Sequence, residues 1–141
     1  MKSIFENYPI IDGTYEDAVQ YVRVLQYVAA IDGVHQDEVK GIKSLINGHN
    51  WSSSCYADAL KNPIKSINDL SLSDETKKVF AHYLIRDTIA VAHLEGGYSN
   101  EESLHIAKIA KELLVSAEIL GIIEDAVEKQ ITATRLWSNL T

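Results

Sequence analysis

Two short stretches of the chain gather oxygen-bearing side chains around a glycine. "VAAIDGVHQDE" runs from Val28 to Glu38, and "VAHLEGGYSNEE" runs from Val91 to Glu102. A displacement of 63 residues places Val28 on Val91, Ala29 on Ala92, Gly33 on Gly96 and Glu38 on Glu101. Asp32 falls on Glu95, and the match extends outward to Arg23 on Arg86 and Ile46 on Ile109. Six of the 26 positions from Val22 to Asn47 are identical, the turn glycine among them, which reads as an internal repeat.

Each stretch runs helix, acid, glycine, short turn, then a glutamate in the first turn of the next helix. The glycine suits a helix end that must turn left-handed, and the glutamate suits the positive end of the following helix. Asp32 and Glu95 are harder to explain. Each stands at the C-terminal end of a helix, where unpaired carbonyls already carry partial negative charge, so a carboxylate there costs up to about 1 kcal/mol. Its occurrence in both stretches asks for a compensating Lys, Arg or bound cation. A carboxylate, orphan carbonyls and a glutamate across the turn form a hard-oxygen set suited to calcium or magnesium. "DGVHQDE" is not an EF-hand, because it lacks the D-x-D-x-D-G ligand spacing. The plain alternative is a solvated acidic turn.

His35, His49, His82, His93 and His105 form no helix-face ligand pair, and nothing resembles H-E-x-x-H. Zinc therefore ranks below calcium and magnesium; its form here would be His35 or His93 joined to turn carboxylates. The single Cys55 excludes an intrachain disulfide and a thiolate-rich zinc site. No G-x-S-x-G, phosphate-binding glycine loop or G-x-G-x-x-G occurs.

The elements that must hold these turns are helices. Thr14 with Asp17 predicts a capped helix whose Val19, Val22, Leu25, Val28 and Ala29 recur at spacings of three and four. A second helix is expected from Gln36 to Asn47, with Val39, Ile42, Leu45 and Ile46 inward. "NGHNWSSSC" is a loop, one of whose serines is expected to cap a short helix through Leu60. Ser73 is placed to cap a long helix through Leu94, carrying Val79, Tyr83, Ile85, Ile89 and Ala92. Ser99 with Glu102 makes a capping box for a helix to Val115, and Ser116 starts a last one with Ile119, Ile123, Ala126, Val127 and Ile131 inward.

A chain of 141 residues with 46% hydrophobic and 23% charged residues is expected to form one globular domain. Residues 1–141 are assigned to it, with repeat halves at 15–47 and 78–115 and a terminal helix at 116–138. The net charge of −7 and scattered Lys and Arg argue against nucleic-acid binding. With neither a signal-type leader nor a membrane-length apolar run, the sequence points to a cytoplasmic protein without direct membrane insertion. Glu118, Glu124, Asp125 and Glu128 on the last helix also disfavour a membrane surface.

The paired pattern of apolar helix, Ala, acid-Gly, short turn and Glu resembles the tellurite-resistance TerB family and the wider TerB-like domains. The resemblance covers 22–115. It implies an all-α fold of two helix-turn-helix halves plus a C-terminal helix, and a non-catalytic stress-response role. It also implies a divalent metal held by an acidic cluster, and docking to other proteins, including membrane-associated stress-response components. Carried to matching positions, it implicates Asp32, Glu38, Glu95, Glu101 and Glu102, with His93 beside them. The chain departs in carrying Glu95 where aspartate is usual, Val39 in place of a second glutamate, and His93 where the other half has Ala30. Two other classes stand beside this reading: a metal-assisted hydrolase using the same acids with His93 as base, and a plain helical scaffold.

Overall fold

The structure, a computed structural model, describes residues 14–31, 36–66, 69, 74–94 and 98–140, without the side chains at 75, 76 and 79. Six α-helices carry the described chain: α1 (Tyr15–Ala29), α2 (Gln36–Gly48), α3 (Ser54–Leu60), α4 (Asp74–Ala92), α5 (Asn100–Glu112) and α6 (Ala117–Leu140). No β-strand occurs among the described residues. Nor is any helix among them long and apolar enough to cross a membrane.

Local chemistry starts α1, α5 and α6 where the sequence predicts. Thr14 Oγ1 accepts from Asp17 N at 3.1 Å while Asp17 Oδ2 accepts from Thr14 N at 3.2 Å. Ser99 and Glu102 repeat this box at 3.1 and 3.0 Å. Ser116 Oγ accepts from Ile119 N at 3.2 Å, opening α6. Each cap satisfies donors that the first helical turn leaves without partners. In α3 the N-cap residue Ser53 makes no side-chain cap bond. Ser73, expected to cap α4, lies outside the described residues, as do the turn glycines Gly33, Gly96 and Gly97.

Helices α1 and α4 form the centre. The first packs against α2, α3, α4 and α5, and the second against α1, α2, α5 and α6. Surrounded in this way, both bury residues on most sides; in α4 these include Phe80, Leu84, Ile85, Asp87, Thr88 and every residue from Ile89 to Ala92. The short α3 packs on α1 and α2, whereas α6 packs on α4 and α5. That one-sided position explains where the expected stripe on α6 breaks. Val127 is buried and Ile119, Ile123 and Ile131 partly so, but Ala126 is exposed. Val39 and Tyr83, expected inward, are only half-buried.

Helix ends correspond across the chain. Helix α1 closes with Ala30 N to Gln26 O and Ile31 N to Val28 O; α4 closes with His93 N to Ile89 O and Leu94 N to Val91 O, each residue 63 further on. Helix α2 ends with His49 N to Leu45 O, Asn50 N to Asn47 O and Trp51 N to Ile46 O. Helix α5 ends with Leu113 N to Ile109 O, Leu114 N to Lys111 O and Val115 N to Ala110 O, each residue 64 further on. Asn50 and Leu114, in these equivalent places, have φ of 60° and 61°. The sharp left-handed turn also ends α5 at Glu112, short of the expected Val115. Between the first pair of helices and the second, the correspondence lengthens by one residue.

Candidate functional site

That extra residue decides which glutamates are equivalent by position. The 63-residue displacement puts Glu38 opposite Glu101, but Glu38 is the third residue of α2 and Glu102 the third of α5. Their burial agrees: Glu38 is 3% exposed and Glu102 is 4% exposed, whereas Glu101 is exposed. The following core positions keep the same step, Ile42 with Ile106 and Leu45 with Ile109, all buried. Two glutamates in corresponding first turns therefore face inward. Carboxylates are buried only where hydrogen bonds or opposite charge hold them. For Glu102 one such bond is visible: its Oε1 takes the Ser99 amide.

Of the other expected ligands, Asp32 and Glu95 lie outside the described residues, as does His35. His93 does not point freely into solvent. Its ring stacks on Tyr98, centroids 5.1 Å apart and planes 18° from parallel. Burial lowers its pKa, against the pull of Glu128 and Glu124 on α6 and with the help of Arg135. Tyr98 Oη is buried beside Ser103 and Glu124, and burial pushes its pKa well up. The end of α4 and the start of α5 thus lie beneath α6.

Helices α1 and α5 meet through one polar side-chain contact near the end of the first and the start of the second. Tyr27 Oη, five residues before Asp32, lies 3.0 Å from His105 Nδ1, three residues after Glu102. Among the described residues, however, no three His, Cys, Asp or Glu side chains are arranged to hold a metal ion.

Two features of the interior went unremarked in the sequence. The first is a buried polar cluster: Tyr21 Oη donates to Asp87 Oδ2, and His49 Nε2 lies 3.0 Å from the same oxygen. Trp51 and Phe80 wall it with edge-on contacts to Tyr21, at 5.0 and 5.4 Å between ring centroids. Trp51 is thus a packing residue. The second is a cavity of about 190 Å³ between α1, α2 and α3, lined by Arg23, Gln26, Tyr27, Tyr56, Leu60 and Ile64 among others. Of the expected metal ligands among the described residues, Glu38, His93, Glu101 and Glu102, none lines it. In both cases the available signal was a charged residue inside an apolar run: Arg23 in "YVRVLQYVAA" and Asp87 in "LIRDTIAVA". Cys55 is fully buried and its thiol pKa is raised by desolvation, which makes it a poor nucleophile.

No protein-family model matches the chain, and no curated protein or solved structure matches it.

Proposed function

We propose that the protein is a non-catalytic, TerB-like helical domain that binds a divalent cation at its paired acidic turns and docks to other proteins. The two halves in this reading are three-helix units, α1–α3 and α4–α6. The supports are the matched helix ends, and the equivalent seats of α3 on α1 and α2 and of α6 on α4 and α5.

The observation that carries the cation reading is the burial of both Glu38 and Glu102 at the same helical position. Each sits six or seven residues after an acid of the repeated motif, Asp32 or Glu95. The Tyr27–His105 contact supports convergence of the two regions. Carboxylates drawn together repel one another and raise each other's pKa, and a hard cation relieves that cost through oxygen ligands. Calcium or magnesium suits such a set better than zinc. The hydrolase alternative is less well supported, since His93, its base, has its ring stacked face-on against Tyr98.

A thermal melt in chelator, then with calcium, magnesium, manganese or zinc, tests this reading. At a hundredfold excess over Kd a cation bound only by the folded state adds about 2.7 kcal/mol, on the order of 5–10 °C in Tm. The gain should vanish in the Asp32→Asn/Glu95→Gln variant. If no ion moves the wild-type melt, and the variant is merely more stable in every buffer, the cation reading is wrong.

A further inference from the structure

Arg23 is a buried cation with no carboxylate partner among the described residues. It is 6% exposed, in the middle of the central helix α1. Its Nε donates to Asn62 O and its Nη1 to Gln20 Oε1, both at 2.6 Å, and both acceptors are neutral. The nearest carboxylate in the network is one bond removed: Gln20 Nε2 donates to Glu16 Oε1 at 2.9 Å. Among the described residues no ion pair to Arg23 occurs, although the chain carries 20 acids against 13 bases. Taking a guanidinium out of water without an anion is costly, and planar guanidinium is the side chain best matched to a carboxylate.

A mainly apolar cavity lies beside Arg23. The roughly 190 Å³ cavity is walled by Tyr27, Ile42, Tyr56, Leu60 and Ile64, with Gln26 as the other polar side chain. Gln26 is itself held, donating to Tyr56 O at 3.0 Å. An apolar cavity of about 150 Å³ accepts a benzene-sized molecule. Leu60, 51% exposed, stands at the rim and leaves a way in. A few placed polar groups in a mainly apolar concavity are the usual form of a small-ligand site.

We propose that this cavity binds a small apolar carboxylic acid, of the size of benzoate or hexanoate, with its carboxylate on the guanidinium of Arg23 and its hydrocarbon part among Tyr27, Ile42 and Ile64. The overall charge of −7 opposes the approach of an anion only weakly, because surface charges are screened beyond about 10 Å at ordinary ionic strength. The guanidinium, by contrast, lines the cavity itself. The residues named for this site include none of the expected metal ligands, so the site stands or falls independently of the cation reading.

The test is a titration of the full chain, in chelator, with benzoate and hexanoate against benzamide and hexanamide, followed by amide NMR shifts. The acids should perturb Gln26, Tyr27, Tyr56 and Ile64, and bind on the order of tenfold more tightly than the amides. Leu60→Trp, at the exposed rim, should abolish binding while leaving Tm unchanged. Arg23→Met should erase the preference for acid over amide; should that variant not fold, the acid–amide comparison and Leu60→Trp still decide the matter. Equal binding of acid and amide by the wild type overturns the proposal. So does the absence of shifts at the cavity residues at acid concentrations on the order of 10 mM.

Discussion

Tyr21 and Asp87, 66 residues apart in the chain, meet through a hydrogen bond in a wholly buried site where α1 crosses α4. His49 Nε2, at the end of α2, shares the same carboxylate oxygen at 3.0 Å. The other oxygen, Oδ1, accepts no hydrogen bond among the described residues and faces Arg86 Nε at 3.7 Å. One carboxylate therefore ties three helices together, and in so dry a place its partners depend on it.

Removing the Tyr21 hydroxyl with Tyr21→Phe should cost about 1–3 kcal/mol, because a buried acceptor loses its donor. Asp87→Ala should cost more, about 3–5 kcal/mol, since it takes one shared, buried carboxylate away from both Tyr21 and His49. The double variant should fall short of the sum. Urea midpoints at constant slope measure all three, and strict additivity would mean that the pair is not coupled.

Leu114 is strained to no packing benefit. It is 90% exposed with φ of 61°, a conformation that costs a residue bearing Cβ about 1–2 kcal/mol. Leu114→Gly should stabilise the fold by about 0.5–1 kcal/mol after the entropy of the freer unfolded chain is charged against it. A rise of a few degrees in Tm is the expected outcome, and a fall would mean that the leucine makes a contact worth more than its strain.

Helix α6 docks through a narrow line of contacts. Val127→Ala, at a position 1% exposed, should cost about 1–3 kcal/mol, whereas Ile122→Ser, at a position 59% exposed, should change stability by less than about 0.5 kcal/mol. Chemical denaturation of the two variants side by side checks the orientation of the helix; equal losses would mean that it is rotated.

Acidification should act on His93. Burial lowers its pKa below the ordinary 6.5, so the unfolded chain takes up a proton before the folded one does. The stability tied to its neutral ring is therefore complete above the unfolded value and is lost as pH falls through the folded one. His93→Phe keeps an aromatic ring against Tyr98 and cannot titrate. The gap between wild type and His93→Phe should widen in the variant's favour between about pH 7.5 and about pH 5. A gap that stays constant would show that His93 titrates alike in both states.

Much of the helical order was legible because its causes are local. Thr14 with Asp17, Ser99 with Glu102, and Ser116 announce helix starts through hydrogen bonds that span three residues. The spacing of Ile42, Leu45 and Ile46 or of Ile106 and Ile109 likewise declares which face of a helix is buried. An alignment of identical letters could not count the residue inserted between the two helix pairs, and so matched Glu38 to Glu101. Only the helix ends and the burial of Glu102 show the longer step.

Helical periodicity and caps determined the helices and most of their inward faces, Val39, Tyr83 and Ala126 apart, because each depends on neighbours a turn away. The tertiary structure decided what those faces enclose. Asp87 and Arg23 sit in runs that sequence alone reads as apolar helix, and their partners come from distant segments: Tyr21 and His49 for the one, Asn62 for the other. Whether a charge in such a run is solvated, paired or left facing a cavity depends on which helices arrive beside it. That is a property of packing between segments dozens of residues apart, which no local pattern encodes.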